Sequence, residues 1–112
     1  MEEEKYQLVY YVRENGKVPY RDWFESLKDI KAQAAVVARL ARLRSGNFGA
    51  CESVGRGLSE LKIDYGPGYR VYFGVAGKQV VLLISGGDKS TQHQDIQKAK
   101  TYWTDYHIRS NR

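Results

Sequence analysis

The sequence predicts an α+β fold: one twisted, largely antiparallel sheet of four strands, with helices packed against it. Three observations lead there. Apolar and polar residues alternate through two consecutive stretches between Glu60 and Val75. Helical spacing governs residues 30–44 and 91–107. The two periodicities are segregated, in the order strand, two helices, three antiparallel strands, helix. The 112 residues make one domain, 1–112, with no repeat and no Ser/Pro-rich linker.

Tyr6 to Val12, rich in β-branched and aromatic residues, reads as the first strand, and Asn15-Gly16 breaks it. Pro19 suits the first turn of a helix whose apolar face is Trp23, Phe24 and Leu27. Asp29 caps a second helix from Ile30 to about Arg44, with Val36, Val37, Leu40 and Leu43 inward and Lys31, Arg39 and Arg42 opposite. Gly46 stops it. Gly46 to Gly57 reads as a loop punctuated by glycine. Next, Leu61, Ile63 and Tyr65 alternate with Glu60, Lys62 and Asp64, and Val71, Phe73 and Val75 alternate with Arg70, Tyr72 and Gly74. Gln79 to Ser85 is apolar on both faces and reads as a central strand, reached by a hairpin at Ala76-Gly77-Lys78. Thr91 to about His107 is the last helix, with Ile96, Ala99, Trp103 and Tyr106 on one side and Ser90 as its N-cap.

Composition narrows the function. One cysteine permits no internal disulfide, and one Cys with two His builds no tetrahedral zinc site without carboxylate help, so no metal and no cofactor are expected. The start, Met1-Glu2-Glu3-Glu4-Lys5, is unlike a signal peptide, and no apolar run approaches the roughly 20 residues of a membrane span. A cytoplasmic chain is expected. The net charge of +5 favours a phosphate-bearing or acidic partner.

Three long cations, Lys62, Arg70 and Lys89, belong to the small sheet built around the turn Gly66-Pro67-Gly68. Pairing symmetric about Pro67 sets Asp64 opposite Arg70 and Lys62 opposite Tyr72, all on one face, and Lys89 follows Gly86-Gly87 beyond the last strand. Either acidic neighbours neutralise these cations or they await an anion. A surface pair of Arg70 with Asp64 is worth roughly 0.2–1 kcal/mol. The amides of Gly86-Gly87 are a further phosphate-binding element, without the lysine spacing of a P-loop.

The segments "GLSELKIDYGPGYRVYF" and "LLISGGDKSTQHQDIQKAKTYW", with the aromatic first strand and "PYRDWFESL", resemble the RelE/ParE superfamily of toxins from toxin–antitoxin modules. They are most similar to its HigB-like "addiction module killer protein" branch. The resemblance covers nearly the whole chain and implies a RelE-like fold. RelE- and HigB-like members cut mRNA in the ribosomal A site, ParE-like members poison DNA gyrase, and an antitoxin neutralises both. In HigB-like modules that antitoxin commonly has a helix-turn-helix, so operator DNA is met only through the complex. Cleavage by a neighbouring 2′-hydroxyl needs a base, an acid and cations on the phosphate. The resemblance puts Arg70 and Lys89 on the phosphate and Lys62 as base or further phosphate ligand. Several cleaving relatives carry a tyrosine early in the last helix, and this chain has none there. His93 is the candidate for proton transfer and Tyr72 for base stacking. Arg39 and Arg42, with Lys31, form a cationic face for ribosomal RNA or an acidic antitoxin. A gyrase poison, or an inactive homologue retained to bind antitoxin, are the alternatives.

Overall fold

Five strands form a single sheet in the order β1-β5-β4-β3-β2. The strands are β1 (Gln7–Tyr10), β2 (Cys51–Gly55), β3 (Leu58–Ile63), β4 (Tyr69–Val75) and β5 (Val80–Asp88). The helices are α1 (Pro19–Ser26), α2 (Ile30–Arg44) and α3 (Gln92–Ser110), and a 3₁₀ turn over Lys89–Thr91 leads into α3. This computed structural model describes residues 4–111, so of the acidic start only Glu4 and Lys5 lie within the described residues. β1 runs parallel to β5, and every other pairing is antiparallel.

Helices cover both faces of the sheet. On one, Tyr20 of α1 and Val36, Leu40 and Leu43 of α2 pack on Leu61, Ile63, Val71, Phe73, Val81 and Leu83. On the other, Ala99 and Trp103 of α3 pack on Leu58, Tyr72, Leu82 and Ile84. The alternation in β3 and β4 therefore sorts residues between two cores, and the half that looks polar in the sequence lies under α3. β5, buried almost throughout, has a strand on each side, as its apolar run predicts. Asp29 caps α2 as expected, its carboxylate accepting from Lys31 N at 2.9 Å, and Gly46 follows the helix in the left-handed region, φ +93°.

Five expectations need correction. β2 occupies the stretch read as a loop; it is an exposed edge strand without apolar alternation, so no period marks it. β5 continues through Gly86 and Gly87 to Asp88, because Arg70 pairs with Gly87 and Tyr69 with Asp88. Those glycines are thus strand residues that admit close neighbours: a Cβ on Gly86 would lie 2.2 Å from Trp23 Cε3. Ser90 is not the cap of α3; Asp88 caps the 3₁₀ turn instead, accepting from Ser90 N at 2.8 Å. Val37 and Val75 are exposed. Arg39 belongs to the core flank, since it stands three residues after Val36 and four before Leu43 on the buried stripe.

Gly74 lets α3 approach β4: a Cβ there would lie 2.4 Å from Trp103 Cη2. Overpacking of this kind costs about 1–3 kcal/mol. Gly74→Ala is expected to lose that much in a urea melt and to alter tryptophan fluorescence. A melt superimposed on wild type would contradict the α3 packing described.

Candidate functional site

The site lies where β3 and β5 end and β4 and α3 begin. The β3–β4 hairpin closes with Gly68 N donating to Tyr65 O at 3.0 Å, and its register sets Lys62 directly opposite Arg70 and Glu60 opposite Tyr72. The pairing is two residues away from symmetry about Pro67. A two-residue shift preserves the faces, so Lys62 and Arg70 still share one, but it removes Asp64 from Arg70.

Arg70 is paired with Glu60 instead. Arg70 Nε donates to Glu60 Oε1 at 3.2 Å, and Nη1 donates to Tyr69 O at 3.2 Å. The Glu60 side chain is 1% exposed and that of Arg70 12%. Gln92, the first residue of α3, donates through Nε2 to both Glu60 oxygens, at 3.0 and 2.8 Å. A buried carboxylate is costly unless paired and hydrogen-bonded, and here an arginine and an amide share that task. Tyr72 is fully buried beside Glu60, so it offers no surface for a base to stack on. Among the described residues its hydroxyl meets no partner with hydrogen-bond geometry. Burial, and then the charges of Glu60 and Asp95, push its phenol well above the usual range.

Lys62 is half-exposed and donates from Nζ to Glu52 of β2 at 2.8 Å. That hydrogen bond holds the Glu52 carboxyl below the ordinary carboxylate range. Lys89 follows β5 and is held by its backbone, Lys89 N donating to Gly68 O at 2.9 Å. Gly68 marks the convergence. A Cβ on it would meet Arg70 Nη1 at 3.4 Å and Lys89 Cβ at 3.8 Å. Three cations are thus gathered at one end of the sheet, two of them facing carboxylates.

Of the remaining candidates, His93 is exposed on the first turn of α3, next to Gln92. Arg42 is exposed on α2. Arg39 is not available to RNA. It is 7% exposed, donates from Nε to Lys62 O at 3.2 Å, and from Nη2 to Phe48 O and Ala50 O at 3.1 Å each. Burial lowers its pKa below the ordinary arginine value. Its work is to tie α2 to β3 directly beneath Lys62. Among the described residues no group of three or more His, Cys, Asp and Glu side chains is placed to hold a metal. Sequence reasoning missed Glu60 and Gln92. The alternation placed Glu60 on a polar face, and only the docking of α3 turns that face into an interior.

Removing one partner of a buried pair costs about 3–5 kcal/mol, because the other charge stays buried. Arg70→Ala is therefore expected to lose about that much in a urea melt, well above the value of a surface pair. Arg70→Ala within about 1 kcal/mol of wild type would show that Glu60 is not held as described.

The chain matches the family described as Phage derived protein Gp49-like (DUF891) over residues 22–108, a span that includes Lys62, Arg70 and Lys89. It is also 48% identical over 81 residues to a Haemophilus influenzae (strain ATCC 51907 / DSM 11121 / KW20 / Rd) protein named "Uncharacterized protein", covering 72% of this chain and 82% of that one. With its α+β architecture and C-terminal helix consistent with the RelE fold, the chain belongs to the Gp49-like family of phage-derived proteins, a family of the RelE/addiction-module killer type.

Proposed function

We propose that this chain is the toxin of a type II toxin–antitoxin module, on the HigB-like branch, and that it cuts mRNA on the ribosome without a metal. The observation that carries the reading is the meeting of Arg70 and Lys89 around Gly68, with Lys62 opposite Arg70 across the hairpin. In the reaction the 2′-oxygen of the RNA bonds to the adjacent phosphorus and the bond to the 5′-oxygen breaks. The 2′-proton passes to a base and another proton reaches the departing oxygen, leaving a 2′,3′-cyclic phosphate and a 5′-hydroxyl. Negative charge grows on the phosphate, and Arg70 and Lys89 are placed to bind it. Glu60 fixes Nε of Arg70 and leaves Nη2 for the phosphate. Lys62 serves as a further phosphate ligand, exchanging Glu52 for a phosphate oxygen; the 2.8 Å contact competes with a role as base. His93, exposed beside Gln92, is assigned to proton transfer.

The partner of such a toxin is an antitoxin, here with a helix-turn-helix that carries the pair to operator DNA. Ribosome and mRNA are the targets. An inactive homologue kept for antitoxin binding is the second reading, favoured by the two carboxylates, Glu60 and Glu52, that face two of the three cations.

Lys89 makes no ion pair among the described residues, so its loss separates rate from stability. Lys89→Ala is expected to slow single-turnover mRNA cleavage on purified ribosomes by about 10²–10³-fold. Its urea melt should move by no more than about 0.5 kcal/mol. Expressed without antitoxin, the wild type should stop translation before DNA replication. Replication stopping first would favour a gyrase poison, and no growth defect would favour the inactive homologue.

A further inference from the structure

A second cationic cleft lies away from the cluster at Gly68. It is open, about 430 Å³, and lined by Arg56 from the β2–β3 turn and Gln97, Lys100, Thr101 and Thr104 from α3. Every lining side chain carries a hydrogen-bond donor and none is acidic. Neither Arg56 nor Lys100 is ion-paired among the described residues, in contrast to Arg70 and Lys62.

Arg56 occupies an unusual backbone position. Gly55 pairs with Leu58, so Arg56-Gly57 is a two-residue hairpin turn, with φ +59° at Arg56 and +84° at Gly57. Positive φ at both positions is the pattern of a type I′ turn, where Asn-Gly, Asp-Gly and Gly-Gly are preferred. Arg56 is the one non-glycine residue with positive φ among those described. Trp103 Nε1 donates to Arg56 O at 2.8 Å, which fixes the turn against α3. An arginine here is strained, yet its backbone is anchored and it lines the same cleft as Lys100.

We propose that this cleft is a second phosphate-binding site, taking the backbone of single-stranded RNA several nucleotides from the phosphate held at Gly68. Lys100 stands eight residues along α3 from Gln92, about 12 Å at 1.5 Å per residue. Stacked nucleotides rise about 3.4 Å each, so that stretch of α3 alone spans roughly three to four of them. Hydroxyls, an amide and two cations suit phosphate oxygens. A docked protein segment would be expected to bring apolar anchors, and this lining gives them no apolar pocket. The proposal takes RNA as ligand, as the proposed function does, but it requires no step of cleavage, and binding is measured without turnover.

The test uses the isolated chain and a fluorescein-labelled, 2′-O-methylated single-stranded RNA, which cannot be cut, in anisotropy titrations across a range of salt. Each lost phosphate contact lowers the slope of log affinity against log salt by about 0.7 for a single strand. Arg56→Gly and Lys100→Gln should each weaken binding with that change, and together by about 1.4. Arg56→Gly also relieves the left-handed strain, so its melting temperature should stay level or rise while affinity falls, which separates the site from the fold. Lys89→Ala should weaken binding in addition to these two. Unchanged affinity and slope in both cleft variants would overturn the proposal, even if ribosome-dependent cleavage were established. Competition by a glutamate-rich peptide at the concentration where unlabelled RNA competes would assign the cleft to an acidic protein and overturn it as well.

Discussion

Glu60 is the residue around which this molecule is arranged. A carboxylate 1% exposed inside a small domain carries a desolvation cost of several kcal/mol. Arg70 across the β3–β4 hairpin and Gln92 at the start of α3 offset it. Both strands of the hairpin and the start of α3 therefore meet at one side chain. The seat of the first turn of α3 and the direction of the Arg70 side chain follow from satisfying that carboxylate.

The constraint explains why a strand arginine is nearly buried at the end of a sheet. A free arginine would turn toward water, with no fixed relation to Lys89. With Nε on Glu60 and Nη1 on the Tyr69 carbonyl, the guanidinium is held in one plane beside Gly68. A cation aimed before its anion arrives loses less side-chain entropy on binding. The surrounding residues support this geometry. Arg39 braces the backbone of Lys62 from the opposite face, and Gly87 leaves room for Asp95, whose Oδ2 would lie 1.9 Å from a Cβ at that position.

Much of this was legible in the sequence. Alternation located β3 and β4, the apolar run located β5, and Leu40, Leu61, Ile63, Val71, Phe73 and Trp103 are buried as their periods require. Lys62, Arg70 and Lys89 were visible as cations flanking turns, and the structure brings them to one end of the sheet. The misplacement of Glu60, Tyr72 and Arg70 has one cause. Treating one face of β3 and β4 as solvated put Glu60, Tyr72 and Arg70 in water, whereas α3 covers that face. Arg39 was assigned by its charge although its position lies on the apolar stripe of α2. The hairpin register depends on the hydrogen bonds of its turn, and symmetry about a proline does not fix it. β2 carries no period at all, and pairing alone holds it at the edge.

The central claim is that Glu60 aims Arg70 at a phosphate. Glu60→Gln preserves size, keeps one acceptor oxygen, exchanges the other for an amide donor, and removes the charge that holds Nε. The direct measurement is single-turnover mRNA cleavage by this variant on purified ribosomes, with mRNA affinity measured in parallel. The account predicts that the cleavage rate falls by about tenfold or more, as for a weakened transition-state contact, while affinity stays within about twofold. Cleavage at the wild-type rate by a folded Glu60→Gln protein would contradict it.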